Sequence, residues 1–357
     1  MNVGEGWTMQ TPRWIFGALL LAAACRASSP DPAISLENAA LWSFSDRLSA
    51  LQTQSCPNGD QRGFEISTLI DVEPVALGDA EDVAEALKGL EFRGGWALSS
   101  AVASFGGLSG LDVLPDGDLL AVSDSGAFVR IGFDQAGLQP TGQASIAFMQ
   151  DANGDIVSGK EDADAEGLAY RDGVALVSFE RNHRVLAFNY GLCGANARGI
   201  KVADIGSRPQ TLGQSIRGNA GAEALTLDGD KLSVGLETVI NGKGPVATIS
   251  ERGDALFARD SWLETSGVPL VGMDTSPAGL FSLQRAYNPL TGNTIYVRQS
   301  DEAGTRVLAR LQKPLTVDNF EGIAVDTSAG PTRIFLIADD NFSKDQQTLL
   351  FVFELKS

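Results

Sequence analysis

Five stretches of this chain follow one plan, and that repetition constrains the fold more than any other feature. Residues 109–124 (SGLDVLPDGDLLAVSD), 166–180 (EGLAYRDGVALVSFE), 223–237 (EALTLDGDKLSVGLE), 271–285 (VGMDTSPAGLFSLQR) and 321–339 (EGIAVDTSAGPTRIFLIAD) each read as a short apolar strand, a turn and a second apolar strand ending in a charged residue. Their starts lie 57, 57, 48 and 50 residues apart. Asp-Gly in the first three suits a tight hairpin turn. A hairpin recurring about every fifty residues cannot bury its own faces, so neighbouring units must supply the core, which is the signature of an all-β β-propeller. Weaker strands such as AFVRIGFD, HRVLAFNY, TIYVRQS and RVLARLQ suit the outer half of each four-stranded antiparallel blade. A further blade is expected from residues 60–104 closed by the C-terminal strand QTLLFVFELK, giving six blades, with seven as the alternative. A blade shared between the termini closes the ring without leaving an edge. Residues 78–90 (GDAEDVAEALKGL) read as a short acidic surface helix.

Residues 1–25 read as a targeting segment. An eleven-residue apolar run at 14–24 (WIFGALLLAAA) follows Arg13 and is too short to span a bilayer, but fits a signal-peptide core. Cys25 after Leu21-Ala22-Ala23-Ala24 resembles a lipobox, and Met9 offers a second start. The expectation is export with lipidation at Cys25, ordinary cleavage after Ala24 being the alternative. Residues 26–58 then form a tether and N-terminal extension with a candidate helix, and 59–357 the propeller. Cys56 and Cys193 remain as an even pair that an oxidising compartment would join, unless they are two unrelated buried thiols.

In an antiparallel hairpin the first and last residues are neighbours at the open end. Glu166 should therefore meet Glu180, Glu223 meet Glu237, Glu321 meet Asp339, Ser109 meet Asp124, and Val271 meet Arg285. Ring symmetry places these ends on one face, so seven acids and one arginine converge on a funnel. Carboxylates crowded this way need a compensating cation, and calcium, which takes six to eight oxygens, is the expected cofactor. Asp124, Glu166, Glu223, Glu321 and Asp339 are the candidate metal ligands. Glu166, Glu180, Glu223, Glu237 and Glu321 are the candidate catalytic carboxylates, and Arg181 and Arg285 the candidate groups for an anionic substrate. Strand alternation allows only one of Asp339 and Asp340 to face inward.

A second oxygen-rich stretch, 151–162 (DANGDIVSGKED), spaces Asp151, Asn153, Asp155 and Asp162 like a calcium loop. Ile156, however, stands where such a loop needs glycine, and a hairpin tip is the alternative. The lone histidine, His183, rules out any multi-histidine metal site and is a candidate general base or a packed polar residue. No nucleophile elbow, P-loop or dinucleotide fingerprint is present. With 27 Lys+Arg against 45 Asp+Glu, the net charge of −18 disfavours nucleic acid as a partner.

The stretches FRGGWALSS, FGGLSGLDVLPDGDLLAVSDSGAF, DAEGLAYRDGVALVSFERNHRV, NAGAEALTLDGDKLSVGLE and NFEGIAVDTSAGPTRIFLIADDNFSKDQQTLLFVFEL together resemble the phytase-like (esterase-like activity of phytase) family. The resemblance runs from about residue 92 to the C terminus. It implies a propeller, export to the periplasm or outer membrane of a Gram-negative bacterium, and a hydrolase acting on a small-molecule ester or phosphoester. In that reading the funnel acids, with Asp340, are calcium ligands or base, and the protein is a monomer touching membrane only through its lipid. A lactonase-like sugar-acid hydrolase and a non-catalytic binding or scaffold propeller are the alternatives.

Overall fold

The computed structural model describes Leu36 and residues 39–56, 63–328 and 330–356. The leader and Cys25 lie outside the described residues. Among those described, no helix is long and apolar enough to cross a membrane.

The repeats form five blades, not six. Their innermost strands are Leu108–Val113, Ala165–Arg171, Ala222–Asp228, Leu270–Ser276 and Asn319–Asp326, each the first strand of a four-stranded antiparallel blade numbered 1 to 5 in that order. Each innermost strand packs against the next, and the fifth returns to the first. The sixth blade is absent because its two expected halves belong to the fifth. Thr348–Leu355 pairs with Arg333–Asp339 on one side and with Leu90–Ser99 on the other, so N-terminal and C-terminal strands complete one sheet around the last repeat.

A strap reinforces that closure. Glu65–Leu69 adds a fifth strand to the outer edge of blade 1, and Asp71–Pro74 does the same for blade 5. Ile70, the residue between them, donates its N–H to the Gly142 carbonyl at 3.0 Å. One short segment thus covers both exposed edges at the junction where the ring closes.

The core is divided into five apolar clusters, one at each blade–blade interface. Both faces of each central strand are apolar, as blades stacked on both sides require. The smallest cluster, Ala224, Val246, Leu270 and Met273, joins blades 3 and 4.

Residues 41–56, within the extension before the propeller, pack against it. Helix Phe44–Ser55, capped by the Ser43 hydroxyl accepting from Asp46 N–H, buries Phe44 and Leu51 in the cluster between blades 2 and 3, together with Trp42. Its last turn is tied to blade 2 by the Cys56–Cys193 disulfide, with Cα atoms 6.0 Å apart and 137 positions between them in sequence. Ser55 adds hydrogen bonds to Arg198 and Asn189. Closing so long a loop restricts the unfolded chain, and replacing both cysteines by serine is expected to lower unfolding free energy by about 3 kcal/mol. Thermal or urea unfolding of the double variant checks this; an unchanged midpoint would mean that the helix contacts alone hold the extension. The acidic helix lies at Ala80–Ala86, capped by Asp79.

Candidate functional site

The funnel is built by one local irregularity repeated five times. Every innermost strand breaks register with its neighbour near its first residues, between Leu108 and Leu111, Ala165 and Leu168, Ala222 and Ala224, Leu270 and Gly272, and Phe320 and Gly322. A bulge re-aims the side chain of the residue it leaves unpaired. The unpaired positions include Ser109, Glu166, Glu223, Val271 and Glu321, the first residues of the five repeats. Except in blade 3, the next residue is glycine. A Cβ on Gly322 would lie 2.1 Å from the Ser109 carbonyl oxygen, so the strands approach more closely than any side chain allows. A void of only about 10 Å³ remains on the axis between Gly110, Gly167, Gly272 and Gly322, barely one water's worth. The inner strands therefore close the axis at the level of these glycines.

The second strands bring Asp124, Glu180, Glu237, Arg285 and Asp339 to the same end, beside the bulged residues as the hairpin pairing requires. Carboxylate oxygens of Asp164, Glu166 and Glu180 lie within 4.8 Å of one another, as do those of Glu180, Glu223 and Glu237. Ser109 donates to Glu321 at 3.1 Å, and the Asn319 amide donates to Glu321 at 2.9 Å and to Asp339 at 3.4 Å. Asp339 is the inward residue of its pair. Asp340 instead accepts from Gly107 N–H, Phe342 N–H and the Thr348 hydroxyl, pinning the FGGL loop.

Burial without matching positive charge displaces these carboxyls. Glu166 is pushed well above the usual range, first by burial and then by Glu321, Asp164 and Glu180. Glu223 is likewise raised by burial and by Glu166 and Glu237. Burial takes Glu237 up to about 7, against the pull of Arg285, and Asp339 up to about 8 with help from Glu321. Glu180 and Glu321 are raised by burial and partly held back, Glu180 by a hydrogen bond with Glu223 and Glu321 by Arg285.

Four cations are set against eight acids (Asp124, Asp164, Glu166, Glu180, Glu223, Glu237, Glu321, Asp339): Lys160, Arg181 and Arg285 pair with them directly, and Arg217 acts on Glu237 without an ion pair among the described residues. Arg285 is expected from sequence to grip substrate, but its guanidinium is consumed internally. It reaches Glu321 at 3.0 Å and Glu237 at 3.2 Å, and donates to Asn319. Arg181 pairs through Nε with Asp164 at 2.7 Å, and its terminal nitrogens have no partner among the described residues. Lys160 bridges Asp124 at 2.9 Å and Asp164 at 2.7 Å. The buried Asp124 Oδ1 has no hydrogen-bond partner.

Sequence reasoning missed Asp164, Asn319 and Lys160. The first two stand two residues before a bulged glutamate, in DAEG and NFEG, so aligning the repeats two positions further upstream would have found them. Lys160 lies in a connector with no counterpart elsewhere. The 151–162 stretch forms the hairpin-tip alternative. Asp151 Oδ1 accepts from Asn153 and Asp155 N–H at 2.8 and 3.0 Å, while Asp162 turns to Asn182. His183 is 3% exposed beside Gly221, with neither ring nitrogen partnered, and burial lowers its pKa.

At the opposite end of the inner strands, half-buried Asp112 and Asp274 each accept from their own strand and from the adjacent blade, through Tyr170 and Val325 N–H respectively. They staple blades together. A cleft of about 760 Å³ lies on the outer edge of blade 1. Its Arg130 is already paired with Asp118 at 2.7 Å, so the concentration of buried, uncompensated charge, rather than cleft size, marks the site.

Fold and site together define a five-bladed propeller with a cluster of buried acids at one end of its axis. Residues 103–342 match the family described as phytase-like, esterase-like activity of phytase, and the chain belongs to that family. Comparison with curated proteins gives no match. Among solved structures, the PQQ-bound aldose sugar dehydrogenase of Streptomyces coelicolor is 12% identical over 83% of this chain and 99% of its own, at a TM-score of 0.43. The glutaminyl cyclase of Myxococcus xanthus is 13% identical over 75% and 96%, at 0.42. A protein of unknown function from Bacteroides thetaiotaomicron is 10% identical over 82% and 77%, at 0.45. At these scores none of them informs the chemistry of the funnel.

Proposed function

We propose that the funnel holds a divalent cation, calcium first among candidates, and that the loaded cup hydrolyses a small-molecule ester or phosphoester. The observation that carries this reading is the run of bulges that turns Glu166, Glu223 and Glu321 onto the axis beside Glu180, Glu237 and Asp339. The donor set is all oxygen, as a hard cation prefers, and the orphaned Asp124 Oδ1 is a further acceptor in want of a partner. Asp164, Glu166 and Glu180, or Glu180, Glu223 and Glu237, would hold the ion. A bound divalent cation would supply Lewis-acid polarisation of a carbonyl or phosphoryl oxygen and a more acidic water. Arg181, with its terminal nitrogens unpaired, is placed to meet an anionic group, and Arg285 keeps Glu237 and Glu321 in position. The closed axis restricts substrate to one face.

In the same reading the protein is an exported monomer, attached to the outer membrane through a lipid on Cys25, with a disulfide that suits an oxidising compartment. A non-catalytic scaffold is favoured by one observation, the internal pairing of Arg285, Arg181 and Lys160 with funnel acids. Calorimetric titration of calcium into chelator-treated protein separates the two. Binding that Glu166→Gln and Glu237→Gln each weaken by roughly tenfold or more, with chelator-sensitive ester turnover, supports the hydrolase. No binding and an unmoved melting temperature would sink it.

A further inference from the structure

Lys160 belongs to the connector between blades 1 and 2, on the single turn Lys160–Ala163. Its ammonium lies 2.9 Å from Asp124 Oδ2 and 2.7 Å from Asp164 Oδ1. It therefore links an acid of blade 1 to the Asp164–Glu166–Glu180 group of blade 2. The other oxygen of Asp164 is taken by Arg181, and the other oxygen of Asp124 is buried with no partner. The ammonium neutralises part of the acid cup from a side chain that is 57% exposed, whereas Asp164 is 1% exposed. Gly159, just before it, has φ 83°, and the exposure of Lys160 itself leaves its stem room to swing into solvent. Arg285 differs in every respect, being part-buried and held by three partners.

We propose that Lys160 is a tethered cation that occupies the edge of the cation seat and is displaced by the incoming ion, which then takes Asp124 Oδ2 and Asp164 Oδ1. This inference rests on the cation-binding reading of the funnel. Lys160 offers a single charge on a flexible stem, while a hard dication gathers many oxygens at once, so exchange favours the dication. The released ammonium stays at the rim, where it can meet an anionic substrate group.

Calcium titration of wild type, Lys160→Met and Lys160→Arg tests the exchange, together with amine acylation of wild-type Lys160 mapped by peptide mass. Lys160→Met is expected to bind calcium about fivefold tighter than wild type, the upper end for removing one competing ion pair. Lys160→Arg, which keeps the charge, is expected to bind no tighter. Calcium is expected to speed acylation of Lys160 in the wild type, a readout that holds even if the methionine variant does not fold. Wild-type binding with no tightening in the variant and no gain in acylation would overturn the exchange alone. Absence of calcium binding in both proteins would overturn the funnel reading and the exchange with it.

Discussion

Chelator-treated protein is expected to melt about 5 °C lower at pH 8 than at pH 5.5, and calcium is expected to restore most of that loss at pH 8 and little at pH 5.5. Glu237 and Asp339 titrate at about 7 and about 8 in the fold, with Glu166 and Glu223 also raised. Their unfolded counterparts titrate near 4. Between those limits the folded chain holds more protons than the unfolded one, so stability falls as pH rises. The contribution is complete below about pH 4 and gone above about pH 8 for Glu237 and Asp339. Water entering the cup moderates the effect, leaving a loss of about 3 kcal/mol across the window, which a chain of this size shows as a few degrees. Cations bind the deprotonated acids and so help most at high pH. Glu237→Gln combined with Asp339→Asn should flatten the slope. Differential scanning calorimetry across pH checks the sign: a higher melting point at pH 8 without calcium would mean that Arg285, Arg181 and Lys160 already neutralise the cup.

Gly322→Ala is expected to destabilise the protein by about 3 kcal/mol or more, at the upper end for overpacking. The added methyl would lie 2.1 Å from the Ser109 carbonyl oxygen of the next blade and 2.5 Å from Ile337 Cγ2. The first contact is backbone, which can yield only if blade 1 shifts against blade 5, and every other junction of the ring resists that shift. Gly218→Ala, where nothing lies within 4 Å, is the control and should be close to neutral. Urea unfolding of both variants checks the contrast. A Gly322→Ala variant as stable as the control would mean a looser ring with space along its axis.

The repeat motif itself reveals why so much of this site could be read in advance. Hairpin pairing alone brings Glu166 beside Glu180 and Glu223 beside Glu237, and two apolar strands per unit suffice for the inner half of each blade. The blade number could not be read in the same way. LEFRGGWAL has the alternation of a blade strand, but nothing local says that it joins the sheet of residues 321–355 instead of starting its own. The bulges were invisible too, because a register break is a relation between strands. Its trace is the small residue after each first position, Gly110, Gly167, Ala224, Gly272 and Gly322, where bulk would collide with the next blade. The partners of Arg285 were hidden for a related reason: its charge is in the sequence, but the three residues that pair with it come from blades 3 and 5.

The shared fifth blade also sets the order in which this chain can be completed. Leu90–Ser99 emerges long before its partner Thr348–Leu355, and their register joins Leu90 to Leu355, 265 positions apart. Blades 1 to 4 form from hairpins close in sequence, whereas the final sheet depends on one very long-range pairing, the slow kind. A chain interrupted before that last strand leaves Leu90–Ser99 and Arg333–Asp339 with bare edges, the feature that invites aggregation and proteolysis. The topology thus distinguishes finished molecules from truncated ones by whether two edges remain open.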